Sequence, residues 1–138
     1  MSSYLLDQLP DVEFETMSWA FQKYHLRGNP TNLILHRFYY PDEGDPHDHP
    51  FDIATVILEG GYVEELYEPE TGTFVYETHN PGDKFLIPTN KIHRIINLPN
   101  GPCLTATIYG PKTQEAGFWK WDQGKAYRRN WNGEWREQ

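Results

Sequence analysis

The chain has 138 residues, with 12 basic and 20 acidic side chains and a formal net charge of -8. This length suits one domain around a single hydrophobic core and is too short for two. The acidic balance argues against a nucleic-acid partner and against an anionic membrane surface, because both require a basic face on the protein. Neither class of partner is therefore expected.

Membrane insertion and export are also disfavoured. No apolar run approaches the roughly 20 residues that span a bilayer. The first residues lack the basic start and the apolar stretch of a secretory signal. The single cysteine, Cys103, excludes an internal disulfide framework and is predicted to be a small buried hydrophobe. A reducing, cytoplasmic location is the expectation.

An N-terminal arm over residues 1–31 is the only region with a helical pattern. The apolar positions Leu5, Leu6, Leu9 and Val12 recur at near-helical spacing, but Pro10 interrupts them. Proline breaks a helix interior, so any helix here is predicted to be short. Ser18 to Tyr24 fits either a second helical turn or an edge strand.

A core barrel is predicted over about residues 32–111. Seven or eight short β-rich runs alternate there with Gly- and Pro-rich turns, beginning with Leu33 to Tyr40. Such a chain must close or stack its sheets, since open edges aggregate. A tail over residues 112–138 follows, and its aromatic side chains are expected to pack on the barrel or on a second subunit. The expectation is one all-β domain over residues 1–138.

Three histidines have the spacing of a metal site. His47 and His49 are two residues apart, so on an extended strand both side chains project to one face. His93 belongs to a later strand. Imidazoles suit Fe, Zn, Ni and Cu, and two from one strand with one from another leave positions open for water or substrate. A lone His-x-His pair has a simpler interpretation, as hydrogen-bonded structural residues.

The sequence around these histidines resembles the cupin superfamily. The second cupin motif runs Gly, five residues, Pro, one residue, Gly, two residues, His, three residues, Asn. It is matched by Gly82, Pro88, His93 and Asn97, with Asn90 at the middle glycine. Asparagine tolerates the left-handed conformation that glycine would supply. The first motif is represented by His47-Asp48-His49, with Gly60 closing the strand that follows.

This resemblance implies a double-stranded β-helix, or jelly-roll barrel, that binds a divalent metal. The first motif departs from its pattern, because the customary glutamate ligand falls on Ile53 and Pro41 replaces the leading glycine. The implied site is therefore three-histidine. Asp52, one residue from the glutamate position, is an uncertain fourth ligand that requires a bulged strand. The metal-free alternative is a cupin in which a histidine acts as general base, as in sugar epimerase-type members.

Charged residues of the next strand are predicted to stay outside the site. Glu64 and Glu65 are interpreted as solvated edge charges rather than as ligands. Arg94 adjoins His93, and on a regular strand its side chain points to the opposite face.

The first barrel strand has two faces, either of which can line the cavity. If the face of Leu33, Leu35, Arg37 and Tyr39 does, Arg37 and Tyr39 are candidate catalytic contacts to a substrate carboxylate or phosphate. If the other face does, His36 lies near the metal. A simple ion pair between Arg37 and a surface acid is the favoured alternative. On the last barrel strand, Thr105 and Thr107 alternate with Leu104, Ala106 and Ile108, and one of the two sets faces the cavity.

The resemblance implies a function at the level of reaction class only. The run His-Asp-His-Pro-Phe-Asp is similar to a group of small bacterial and phage cupins. The favoured activity is a non-haem Fe(II) oxygenase, of dioxygenase type, that acts on a small organic substrate. One alternative is an isomerase, epimerase or lyase of a sugar or keto-acid, either with Zn, Ni or Mn as Lewis acid or without a metal. Another is a non-catalytic module that binds a small ligand. A homodimer is the usual cupin arrangement and is expected here.

Overall fold

The protein is built from antiparallel β-strands. The computed structural model describes residues 33–138 with their side chains, and residues 12–18 and 21–26 by their backbone. The strands are β1 Val12–Ser18, β2 Phe21–Leu26, β3 Leu33–Phe38, β4 Ile53–Glu59, β5 Tyr62–Tyr67, β6 Phe74–His79, β7 Lys84–Ile87, β8 Ile92–Asn97, β9 Cys103–Tyr109, β10 Gly117–Asp122, β11 Lys125–Asn130 and β12 Arg136–Glu137.

The strands form one large sheet and two small ones. The large sheet has the order β1-β2-β3-β9-β4-β7, and the small ones are β6-β5-β8 and β10-β11-β12. His47 links the two small sheets, because it forms isolated bridges with both His93 and Phe118. The predicted aromatic tail therefore forms a three-stranded sheet of its own, β10-β11-β12, which is linked to the β6-β5-β8 sheet through His47.

The interior lies between the large sheet and the β6-β5-β8 sheet. A buried cluster of Ile57, Tyr62, Ile95 and Cys103 connects the two layers. Cys103 is the small buried hydrophobe that was predicted, and burial raises the pKa of its thiol to about 11. On the opposite face of the large sheet, Leu104 packs against Leu35.

The helical pattern that included Val12 does not form a helix there, while over Ser18 to Tyr24 the strand alternative is the one observed, inside the sheet rather than at its edge. Val12–Ser18 and Phe21–Leu26 are strands, and Phe21 to His25 pair with β3. The physical reason is visible in the sequence, since apolar or small residues alternate with Glu13 and Glu15, a period of two. Pairing with β2 also covers an edge of β3 that would otherwise be open. The other residues of that helical pattern, Leu5, Leu6 and Leu9, lie outside the described residues.

Glycines close the strand that leads away from the histidines. Gly60 and Gly61 have φ values of 80° and 93°. A Cβ on Gly60 would lie 2.4 Å from the Pro102 carbonyl oxygen, and one on Gly61 would lie 2.4 Å from that of His79. Only glycine fits both the conformation and the space. By contrast, Asn90 does not adopt a positive φ, so the left-handed turn expected there is not formed.

Within the part of the chain that the structure describes, no helix has the length and apolar character needed to cross a bilayer.

Candidate metal centre

The structure brings the three predicted histidines together at one end of the interior. One nitrogen from each of His47, His49 and His93 lies within 4.8 Å of the other two. The ring centroids are 5.1 Å apart for His47 and His49, 4.7 Å for His47 and His93, and 4.9 Å for His49 and His93. Three imidazoles at such separations can share one divalent ion.

Main-chain pairing fixes the first of these side chains against the third. The His47 N–H donates to the His93 carbonyl at 2.9 Å, and the His93 N–H donates to the His47 carbonyl at 3.0 Å. Because alternate residues of an extended segment share a face, His49 then points to the same side as His47. The antiparallel bridge between His47 and His93 thus adds a third imidazole to the two that the His-x-His spacing places on one face.

The imidazoles of His47 and His49 are held in the neutral form that a metal requires. Burial, together with the nearby His93, lowers the pKa of His47 from 6.5 to about 4. Burial also lowers the pKa of His49 well below 6.5. Nε2 of His93 and Nδ1 of His49 are buried without a hydrogen-bond partner among the described residues. Unpartnered buried nitrogens are costly unless a ligand occupies the site, so the cluster fits a divalent metal.

A buried carboxylate lies behind His93. Glu64 on β5 has no solvent exposure, and its Oε1 is 3.1 Å from His93 Nδ1. A carboxylate accepts here, so the proton is on Nδ1 and the lone pair of Nε2 is free toward the cluster. The prediction that Glu64 is a solvated edge charge is wrong, because the strand is the centre of its sheet and this side chain points inward.

Two further side chains contact the Glu64 carboxylate. Nε2 of His79 is 2.8 Å from Glu64 Oε2, and Nζ of Lys91 is 2.9 Å from Oε1. Burial alone would raise the pKa of Glu64, but the hydrogen bonds from His79 and His93 and the charge of Lys91 hold it well below its usual range. The carboxylate is therefore ionised at neutral pH and acts on the cluster through His93.

The C-terminal sheet holds the segment between His47 and His49. Asp48 is buried and accepts four hydrogen bonds. Nε and Nη2 of Arg128 donate to its two oxygens at 2.9 and 3.0 Å, the Gly117 N–H donates at 2.8 Å, and the Trp119 indole donates at 2.9 Å. Sequence reasoning missed this contact, although it had noted both Asp48 and the aromatic tail.

The tail also packs on the outer face of the β6-β5-β8 sheet. Trp121 stacks on Tyr67 with centroids 5.3 Å apart. Glu65, adjacent to Tyr67 on this face, is buried and accepts two hydrogen bonds from Arg94, at 3.0 and 2.7 Å. Arg94 therefore faces away from His93 as predicted, whereas Glu65 is not the solvated charge that was expected.

Asp52 lies apart from the three imidazoles. Its side chain is exposed, and Oδ1 accepts a hydrogen bond from the Thr89 N–H at 2.9 Å, across from the turn that leads to His93. The neighbouring Ile53 is buried and lines the same cavity as the histidines. The side chain at the customary glutamate position therefore faces inward, but it carries no ligand atom.

The three histidines open into a cavity of about 350 Å³. From the first barrel strand, His36 and Phe38 line it, so the alternative with His36 inside is the one observed. Arg37 and Tyr39 are not among the lining residues; the Arg37 guanidinium hydrogen-bonds the Tyr39 hydroxyl. The described lining residues are His36, Phe38, Asp42, His47, His49, Pro50, Phe51, Ile53, Thr55, Tyr62, Ile87, His93, Ile95, Thr105, Thr107, Tyr109 and Ala116.

The wall opposite β8 carries the threonines. On β9, Thr105 and Thr107 face the cavity, while Leu104 and Ala106 face the other side of the large sheet. Nε2 of His36 is 2.7 Å from the Tyr109 hydroxyl at the same wall. The cavity therefore combines a cluster of neutral nitrogens with an apolar body and a small set of hydroxyls.

Known structures share this architecture. No protein-family model matches the chain, and no curated protein matches it in sequence. The polyketide cyclase RemF from Streptomyces resistomycificus is 17% identical, with a TM-score of 0.59 over 83% of this chain and 84% of that one. A cupin-2 domain protein from Rhodospirillum rubrum is 12% identical, with a TM-score of 0.56 over 77% and 74%.

A third structure is an iron enzyme. Hydroxypropylphosphonic acid epoxidase from S. wedmorenis is 12% identical, with a TM-score of 0.57 over 75% of this chain and 58% of that one, and it has also been solved in its Fe(II) form. These similarities show that the chain has the cupin fold, as its two motifs indicated. The three-histidine cluster lies in the interior of that fold and can hold a divalent metal.

Proposed function

We propose that this protein is a metal-dependent enzyme that acts on a small organic substrate, with non-haem Fe(II) oxygenase activity as the reaction. The observation that carries the proposal is the set of three clustered imidazoles at the end of a mostly apolar cavity. When bound, a redox-active ion at this set would supply electron transfer and oxygen activation.

The chain's own residues have three tasks in this proposal. His47, His49 and His93 hold the ion and leave part of its surface open to the cavity. Glu64 fixes the orientation and tautomer of His93. The apolar lining excludes water from the substrate, which protects reactive oxygen chemistry from side reactions.

The absence of a carboxylate ligand distinguishes this donor set from the two-histidine, one-carboxylate arrangement common in non-haem iron oxygenases. With Ile53 at the glutamate position, three neutral ligands leave the full positive charge of the ion in place. That charge favours a substrate that binds through an anionic or readily ionised oxygen, adjacent to the ion.

A second candidate function has an observation of its own in its favour. Nε2 of His36 and the Tyr109 hydroxyl form a hydrogen-bonded pair at the cavity wall, 2.7 Å apart. Such a pair can take up and return a proton. With a redox-inert ion as Lewis acid, the same cavity would support an isomerisation, cyclisation or lyase reaction without oxygen.

The two reactions differ in their need for oxygen. Protein freed of metal with a chelator is reloaded anaerobically with Fe(II) or with Zn(II), and oxygen consumption is followed with a panel of small organic compounds. Compound-dependent oxygen uptake by the Fe(II) form, and not by the Zn(II) form or by Fe(II)-treated His93→Ala protein, supports the oxygenase. Turnover with both metals and without oxygen uptake supports the Lewis-acid reaction instead.

A further inference from the structure

The cavity beyond the histidines is apolar over most of its surface and carries little charge. We infer that its ligand is a compact, ring-shaped organic molecule without an anionic group remote from the metal, and that neutral polar atoms of this ligand bind the hydroxyls of Thr55 and Thr105. This inference rests on the proposed function, because it takes the metal as the anchor of one end of the ligand.

Size and shape point to a single flat ring. A volume of about 350 Å³ is near the lower end of small-molecule sites, which run from about 300 to 1,000 Å³. Phe51 and Tyr109 stack on one another with centroids 4.2 Å apart and an interplanar angle of 24°. Together with Ile53, Ile87 and Ile95 they give the cavity flat and aliphatic walls. A planar apolar body makes the most contact with such walls.

The charge of the lining residues disfavours a ligand with a phosphate or carboxylate remote from the metal. Among the described residues that line the cavity there is no lysine and no arginine, and the one acidic residue is Asp42. Lys91, which lies behind the histidine cluster, forms an ion pair with Glu64 at 2.9 Å. An anionic group away from the metal would therefore be buried without a lysine or arginine to balance its charge, which is unfavourable.

Two hydroxyls at the cavity wall lack partners. Thr105 is 1% exposed and Thr55 is 6% exposed, and neither Oγ1 has a hydrogen-bond partner among the described residues. Thr107, directly opposite Thr55 in the sheet, differs, because its hydroxyl donates to the Ile34 carbonyl at 3.0 Å. A buried hydroxyl without a hydrogen-bond partner lowers the stability of the protein. A ligand that forms a hydrogen bond with it removes this penalty and therefore binds more tightly.

A matched pair of compounds tests the inference on the intact protein. The compounds 3,4-dihydroxybenzyl alcohol and 3,4-dihydroxybenzoate share the ring and the two metal-binding oxygens, and differ in whether the remote group is neutral or anionic. Binding to the Zn(II)-loaded protein, which is redox-inert, is measured by calorimetry. We expect the alcohol to bind at least tenfold more tightly than the acid.

Variants test the hydroxyls. Thr105→Val and Thr55→Val keep the side-chain shape, and each is expected to weaken binding of the alcohol about tenfold, the value of one hydrogen bond. Thr78→Val, an exposed strand position on β6, is the matched control and should leave binding unchanged. Circular dichroism establishes that each variant is folded.

Equal or tighter binding of the acid would overturn the inference, and so would unchanged binding of the alcohol to the Thr55→Val/Thr105→Val double variant. If the protein takes up Zn(II) but binds neither compound, the inference fails while the proposed function stands. If it takes up no metal, the proposed function fails first. The comparison of the two compounds needs only the unmodified chain, so it stands even if a threonine variant does not fold.

Discussion

His47 and His93 form a two-way main-chain bridge, in which the N–H of each donates to the carbonyl of the other at 2.9 and 3.0 Å. This bridge joins the β6-β5-β8 sheet to the C-terminal sheet, since His47 also bridges to Phe118. The same residues supply two of the three clustered imidazoles. Sheet pairing and the candidate metal centre therefore depend on one contact.

Replacing Glu64 with glutamine should weaken metal binding. The carboxylate fixes His93 with its proton on Nδ1, and loss of such a partner typically lowers metal affinity about 10- to 100-fold. Affinity is measured by competition with a coloured chelator, and the His93 tautomer by nitrogen chemical shifts. Glu70→Gln, at an exposed turn position, is the control. Equal affinity in the two variants would contradict the role assigned to Glu64.

Replacing Asp48 with asparagine should loosen the C-terminal sheet and the metal site together. The change breaks a buried, two-bond ion pair with Arg128, at a cost of about 3 kcal/mol in the free energy of unfolding. Because Asp48 separates His47 from His49, metal affinity should fall at least tenfold as well. Both quantities are compared with those of Asp45→Asn, an exposed aspartate in the same loop. A stability loss with unchanged metal affinity would show that the contact serves the tail alone.

The metal-free protein should lose stability as the pH falls from about 6.5 to about 4. In that interval the unfolded chain binds protons at His47 and His49, while the folded chain, whose pKa values there are lowered by burial, does not. The unfolded state then holds more protons, so stability decreases toward acid, by about 3 kcal/mol for His47. The lowered pKa of Glu64 acts in the same direction at still lower pH.

Urea unfolding in the presence of a chelator at pH 7.5 and pH 5 measures this dependence. His47→Gln removes one of the titrating groups and should flatten the pH dependence between those two values. An equally steep dependence in the variant would place the effect elsewhere in the chain.

Replacing Ile53 with glutamate should make folding more dependent on metal. Ile53 is 4% exposed and lines the histidine cavity, so a glutamate there would be buried without a partner in the metal-free protein, at a cost of roughly 2–3 kcal/mol. A divalent ion would supply that partner. Thermal unfolding with and without Zn(II) should show a larger metal-induced rise in melting temperature for Ile53→Glu than for Ile53→Gln. Similar rises in both would mean that position 53 does not reach the ion.

The parts of the fold that local sequence patterns encode could be predicted from the sequence. Period-two runs and glycine turns predicted the barrel strands, and the spacing from Gly82 to Asn97 identified the segment that carries His93. The strand at Val12–Ser18 was missed because leucines ahead of it suggested a helix, and at Ser18 to Tyr24 the helix and strand alternatives were left open. The local signal was the alternation of Glu13 and Glu15 with apolar or small residues, and pairing of β2 with the next strand, β3, agrees with it.

The supporting groups of the site could not be found from local pattern. Glu64 and Glu65 are adjacent charges in the sequence, and adjacent charges usually mark a solvated edge. Their burial follows from cross-strand partners, namely His93 and His79 for Glu64 and Arg94 for Glu65. Likewise the pairing of Asp48 with Arg128 spans 80 positions. Such contacts exist only once the sheets are assembled.

Metal content tests the central claim most directly. Purified protein is stripped with a chelator, dialysed against Fe(II) under anaerobic conditions or against Zn(II), and analysed by elemental mass spectrometry. We predict one ion per chain for the unmodified protein and for Asp52→Asn, and less than a tenth of that for folded His47→Ala, His49→Ala and His93→Ala proteins. Undiminished metal content in the three histidine variants would contradict it.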